Sequence, residues 1–372
     1  MVDCAVIEWL FAIPAAYQAI ALAAVGKRLR TADPESEELP PVSILKAVKG
    51  EEPGLYEALC SHAELIYPNF ELLFAVADAM DPALTIIKRV AREYPDRKIR
   101  FIVSVTETPN RKVGSLIDLA KIAQNEIMLV NDADIRVEPH YLQHIVGALL
   151  GLDNVGLVTC IYRARACHPA GWFEALGVAT DFAPSALVAP FVGISEFALG
   201  STMLFRRTDL EKAGGFESLA EYIADDFHLG LKIAKLGKRV HLSAEIVETS
   251  LPAVTFGEAW RHQVRWARTI KASRGDLIGY LGLPVTFATL WSIVALACGF
   301  WTIAAWLFAT RCAVALLSVG PLLADAPALR HIWALPARDL WGAAVWVAGV
   351  MGNRVEWGDD RMKLTKEGKI EW

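Results

Sequence analysis

Residues 4–26 form an apolar run with Glu8 as its one acid, and they lead directly into Lys27-Arg28-Leu29-Arg30. Coiled as a helix, roughly 20 such residues match the hydrocarbon core of a bilayer. A secretory signal would place its basic residues before the apolar run, whereas here they follow it, so the pattern predicts an uncleaved anchor. Positive charge flanking the run then places the chain after residue 26 on the cytoplasmic side. A buried core helix is the competing reading of the same stretch.

A second apolar region follows residue 276. Segments 277–299 and 302–323 are each long enough to span, while 340–352 is short for a span and reads as re-entrant or interfacial. Arg311 falls inside the second segment, where an unpaired charge is costly, so it should meet a partner or a cavity. The tail carries Arg354, Arg361, Lys363, Lys366 and Lys369 and reads as cytoplasmic. An anchor at 1–30, a cytoplasmic catalytic domain at 31–275, a two-span membrane region at 276–352 and a basic tail at 353–372 satisfy both charge signals. Four full spans would put the basic tail outside. Composition agrees with a membrane protein: 54 % of residues are hydrophobic, and the excess lies at the two ends. A net charge of −5 gives no reason to expect a nucleic-acid partner. The six scattered cysteines lack the paired spacing of a zinc site.

Between a polar linker at 31–40 and about residue 160, strand and helix patterns alternate. Strands are expected at Val42–Leu45, Phe70–Val76, Ile99–Val105, Glu126–Val130 and Val155–Cys160. Helices are expected at Pro53–His62, Ala83–Glu93, Val113–Ala123 and Pro139–Leu150. This alternation predicts an α/β fold with a doubly wound, mostly parallel sheet, whose ligands bind at the carboxyl ends of the strands.

Several acidic groups fall at such ends. Asn131-Asp132-Ala133-Asp134 follows the apolar strand Ile127–Val130 directly. Two carboxylates in a D-x-D suit a hard cation that holds a diphosphate, although Asp is also common in turns after strands. Asp78 follows the strand Phe70–Val76 and could accept hydrogen bonds from a base or ribose. Asp81 before Pro82 reads as a helix cap. Asp225-Asp226 is an adjacent acid pair that can raise one member's pKa, as a proton acceptor requires, and it is equally suited to a helix start. In Trp260-Arg-His-Gln-Val-Arg-Trp-Ala-Arg268, the residues Arg261, Arg265 and Arg268 recur at helical spacing. Such a helix suits phosphate oxygens, or a membrane interface and its headgroups.

Taken in order, these blocks resemble the ceramide glucosyltransferase family and its bacterial relatives, including glycosyltransferases of hopanoid synthesis. The resemblance runs from about residue 40 to 275. It includes Asp81-Pro82-Ala83, Asn110-Arg111-Lys112-Val113, Asp132-Ala-Asp134-Ile-Arg136-Val137, Gly200-Ser-Thr-Met, Ala213-Gly214-Gly215-Phe216, Tyr222-Ile-Ala-Asp-Asp226 and Arg265-Trp266. It implies a GT-A fold and an inverting mechanism. Lys46, Asp78, Lys112 and Asp132 would bind the nucleotide diphosphate of a UDP-sugar, with Asp132 and Asp134 on Mg²⁺ or Mn²⁺. Asp226 would be the general base, and Arg265 and Trp266 would complete a Q/R-x-x-R-W signature. This chain carries His262 at the first place of that signature, with Gln263 one residue out of register.

The resemblance implies transfer of a sugar, glucose foremost, to a lipid hydroxyl such as that of ceramide, at the bacterial inner membrane. A hopanoid or other glycolipid transferase and a processive polysaccharide synthase are the alternatives. The apolar stretch 172–195, with Trp172, Phe173, Phe182, Leu187, Val188 and Phe191, reads as a lipid slot or as ordinary core.

Overall fold

The computed structural model describes residues 4–252, 254–274, 280–357 and 360–371. The apolar runs after the linker form β1 (Val42–Ala47), β2 (Phe70–Val76), β3 (Lys98–Val103) and β4 (Ile127–Val130). All seven residues of β2 are buried, as a strand covered on both faces must be. Helices α2 (Leu55–Ala63), α3 (Ala83–Glu93) and α4 (Arg111–Ile122) make the crossovers, and α5 (Tyr141–Gly151) follows β4. The continuing chain supplies β5 (Val155–Ala166), β6 (Met203–Arg206) and β7 (Arg239–Leu251).

Strand order is β3-β2-β1-β4-β6-β5-β7. β1 pairs in parallel with β2 and β4, β2 with β3, and β5 with β7, while β6 runs antiparallel to both β4 and β5. The sheet is therefore mostly parallel, as expected. Alternate residues of each strand face opposite sides. Val42, Ile44, Leu72 and Phe74 share a core with α2, α3 and α5, and Leu45, Leu73, Ala75 and Met128 share one with α4 and α9 (Asp225–Lys235). From β1 the chain winds outward to β2 and β3 and then returns to β4 on the other side of β1. The crevice above β1 and β4 is thus a topological switch point, where such sheets bind ligands.

After β5, the helix α6 (Pro169–Gly177), a π turn (Val178–Phe182) and α7 (Ala183–Phe191) run on without a break. Leu187 and Val188 bury against Ala21 and Val25 of α1 (Cys4–Arg28) and Val314 of the helix Trp301–Leu317. Those two side chains of the expected lipid slot are therefore core, whereas Phe191, Val192 and Ile194 remain exposed.

Among the described residues, two helices are long and apolar enough to cross a membrane: Leu10–Arg28 and Trp301–Leu322. The span expected at 277–299 opens outside the described residues. It continues as a 3-10 turn, Leu283–Thr286, and a ten-residue helix, Ala288–Ala297. That ten-residue helix rises about 15 Å, half a hydrocarbon core. Arg311 has the partners its position requires. It donates to Asp339 (2.6 Å), Asp181 (2.5 Å) and the Thr180 carbonyl (2.7 Å).

The basic tail folds as well. β8 (Arg354–Trp357), β9 (Asp360–Leu364) and β10 (Ile370–Glu371) form a small antiparallel sheet. Val355, Met362, Leu364 and Ile370 pack against Ile223 and against Ala272 of α10 (Phe256–Arg274).

Candidate active site

The four-residue strand β4 delivers Asp132 and Asp134 to the switch point. Asn131 ties the strand end to the neighbouring chain by donating to the Ser201 carbonyl at 2.6 Å, and the Asp132 N–H donates to the Gly200 carbonyl at 3.0 Å. Gly200 has no side chain for a steric reason: a Cβ there would lie 2.6 Å from Asp132 Oδ2. The side chain of Asp132 remains 42 % exposed.

Lys112, at the start of α4, bridges two acids. Its ammonium lies 2.7 Å from Asp132 Oδ1 and 3.0 Å from Asp225 Oδ2. Although burial opposes the charge, Asp132, Asp225 and Asp226 together raise the Lys112 pKa and keep it protonated. Asp225 and Asp226 open α9, where a helix N-terminus favours carboxylates. Asp226 accepts from Gly200 N–H at 2.8 Å and from its neighbour Phe227 N–H at 2.7 Å. Burial, followed by the adjacent Asp225 charge, pushes Asp226 up to about 6, with Lys112 pulling the other way. Asp132 and Asp226, 94 residues apart in sequence, thus meet across Gly200 and Lys112.

Asp134 accepts from Thr249 Oγ1 at 2.5 Å and from Ser250 N–H at 3.2 Å, both on β7. Burial and the Asp132 charge raise it against those hydrogen bonds. Glu52, in the loop after β1, belongs to the same acidic rim. Partial desolvation, then Asp134 and Asp132, push it up to about 7, although the residue is exposed to solvent. A rim of mutually repelling carboxylates fits a hard divalent cation. Among the described residues no three His, Cys, Asp or Glu side chains form a complete cage. Asp132 and Asp134 would be the residues to hold Mg²⁺ or Mn²⁺, with water and phosphate oxygens as the remaining ligands.

Lys46, an expected nucleotide contact, is 0 % exposed, and its ammonium lies beneath the D-x-D turn. It donates to the Asp132 carbonyl at 2.8 Å and lies 3.4 Å from that of Ile135. Burial lowers its pKa to about 7 against the pull of Asp134 and Asp132. Asp78 is exposed at the end of β2 and accepts from Met80 N–H at 2.8 Å. It shares the sheet edge with Asp132 but lies two strands away, about 10 Å at ordinary strand spacing.

Helix α10 closes the other side. Arg265 lies in the field of Asp132, Glu174, Tyr162 and Glu52, and burial lowers its pKa against their pull. Trp266 packs with Ala164, Ala175, Val178 and Leu251 and faces the His262 ring at 4.3 Å. Its place is thus the apolar wall beside the acids. Arg261, Arg265 and Arg268 all lie on α10, and Arg268 donates to the Arg354 carbonyl at 2.5 Å. Gln263 accepts from Trp341 Nε1 at 3.0 Å, while His262 pairs with Glu174 at 2.6 Å. Sequence reasoning missed Glu52, Tyr162 and Glu174. Only Glu52, just past the end of a strand, carried a local signal.

A D-x-D at the switch point of such a sheet, facing an acid pair across one lysine, defines a glycosyltransferase of GT-A type. The model of glycosyl transferase family 21 matches residues 7–370, and the chain belongs to that family. It is 24 % identical over 234 residues to ceramide glucosyltransferase 1 of Caenorhabditis elegans, covering 62 % of this chain and 50 % of that protein. It is 28 % identical over 240 residues to beta-monoglucosyldiacylglycerol synthase of Trichormus variabilis, covering 62 % and 48 %. The chain spans about half the length of these curated relatives. Its fold matches a solved mannosyltransferase from Pyrobaculum calidifontis in complex with GDP-Man and Mn²⁺. The TM-score is 0.55 at 20 % identity, over 92 % of this chain and 98 % of that one.

Proposed function

We propose that this chain is a membrane-bound, inverting glycosyltransferase that moves a sugar, glucose foremost, from a UDP-sugar to the primary hydroxyl of a membrane lipid such as ceramide. The observation that carries the reading is Asp226: a carboxylate pushed up to about 6, oriented by Gly200 N–H and facing the D-x-D across Lys112. A pKa near the working pH is what a general base needs.

In this reading the nucleoside lies along the strand ends toward Asp78. Asp132 and Asp134 hold Mg²⁺ or Mn²⁺, which supplies charge neutralisation for the diphosphate when bound. Lys46 keeps the D-x-D turn in shape from below. Arg265 places positive charge beside Asp132, on the side where the leaving diphosphate gains charge. Asp226 takes the proton of the lipid hydroxyl while that oxygen bonds to C1. The bond from C1 to the diphosphate oxygen breaks on the opposite side, which inverts the anomeric centre. The two long apolar helices and the exposed Phe191, Val192 and Ile194 support entry of the acceptor from the bilayer. The relative named for diacylglycerol supports that lipid as the second acceptor to test.

The test is sugar transfer by the full chain in detergent, with and without a divalent cation, followed by Asp226→Asn. The variant should lose at least about 10²-fold in turnover while its affinity for UDP changes less than about twofold. Near wild-type turnover in Asp226→Asn would remove Asp226 as the base.

A further inference from the structure

The catalytic reading leaves the pair of Glu174 and His262 without a role. Glu174, on α6, is 1 % exposed, and its Oε1 accepts from His262 Nδ1 at 2.6 Å. Its other oxygen, Oε2, is buried with no hydrogen-bond partner. A buried carboxylate oxygen in that state is costly, and such a group in a native fold points to a missing donor. Its surroundings indicate where that donor comes from. Glu174 acts electrostatically on Arg265, which Asp132 also faces, and on Tyr162, which Asp132 and Asp226 also face. Glu174 therefore borders the catalytic cluster from α6, whose next residue, Ala175, shares an apolar cluster with Tyr162 and Trp266. His262 fills one oxygen and fixes the carboxylate, leaving the other as an acceptor only.

We propose that Glu174 Oε2 reads a second hydrogen-bond donor on the head of the acceptor lipid, next to the hydroxyl that receives the sugar, with His262 as its positioning residue. The proposal rests on the reading of the chain as a lipid glycosyltransferase and deepens it into a substrate class. Ceramide offers such donors in its amide N–H and secondary hydroxyl. Diacylglycerol offers none beyond the reacting hydroxyl, so it would leave the carboxylate unpaired. A site built to hydrogen-bond a donor strongly disfavours an analogue that lacks it.

The test uses the full chain in lipid nanodiscs and reads quenching of tryptophan fluorescence, for which Trp266 sits beside His262. Three probes are titrated: short-chain ceramide, the same ceramide methylated at its amide nitrogen and secondary oxygen, and short-chain diacylglycerol. Wild-type protein should bind ceramide about tenfold or more tightly than the other two. Glu174→Gln, which puts an amide donor where the acceptor stood, should erase that gap. Equal binding of all three lipids by wild-type protein overturns the proposal, as does a gap that persists in a folded Glu174→Gln. The methylated probe decides the matter on wild-type protein should the variant fail to fold. Sugar transfer is measured separately, so a chain that binds selectively but transfers nothing removes the catalytic reading and leaves the binding site standing.

Discussion

The Lys112 ammonium lies 2.7 Å from Asp132 Oδ1, joining the first turn of α4 to the end of β4. That contact places a cation between the D-x-D and the acid pair of α9. It also sets the charge state of the proposed base, because Lys112 opposes the rise in the Asp226 pKa. Lys112→Met should therefore raise Asp226 above its value of about 6. The base works only when ionised, so the acid limb of the kcat/KM–pH profile should move to higher pH, with the largest loss below neutrality. An unmoved acid limb would separate Lys112 from the base.

Gly200→Ala tests how tightly the two acids are fitted together. The added Cβ would fall 2.6 Å from Asp132 Oδ2, and Gly200 N–H is also the donor to Asp226. Displacing either carboxylate by a fraction of an ångström should lower kcat by about tenfold or more, with a smaller effect on the melting temperature. Wild-type kcat would show that the strand end has room to yield.

Ile370→Asp addresses the tail. The Ile370 N–H donates to the Glu221 carbonyl at 2.8 Å, and Ile223 N–H donates to the Gly368 carbonyl at 3.2 Å, so the small sheet splints the loop that leads into Asp225. Ile370 is buried among Ile223, Ala272 and Leu364. A charge there should release the tail to limited proteolysis and lower kcat while leaving UDP affinity unchanged. Full kcat in a protease-sensitive variant would show that the loop holds its shape alone.

Arg311→Leu takes from Asp181 and Asp339 their shared cation, leaving Asp181 only Arg338 at 3.8 Å. Breaking a buried ion network from one side costs about 3–5 kcal/mol, so melting in detergent should fall sharply. The double variant Arg311→Leu with Asp339→Leu should recover part of that loss. If the double variant melts lower still, the network is not an isolated charge balance.

Local pattern carried much of the fold. Phe70–Val76 and Ala83–Glu93 appear in the structure with the bounds their sequence periodicity predicts, because an apolar run and a 3.6-residue stripe are local properties. The D-x-D was legible for the same reason, since a strand end followed by acids is a local signal. Lys46 was not. A lysine near a strand end reads as a ligand, and only the register of β1 beside β4 puts its amine under the turn.

The sequence by itself determined the alternating strands and helices, the two long apolar helices and the acids at the strand ends, because each follows from side-chain pattern within a dozen or so residues. Tertiary structure alone decided that β6 enters the sheet antiparallel, that the basic tail folds onto α10, and that Glu174 meets His262 across 88 residues. Those outcomes depend on which buried groups find partners from distant segments, and no local pattern encodes that pairing.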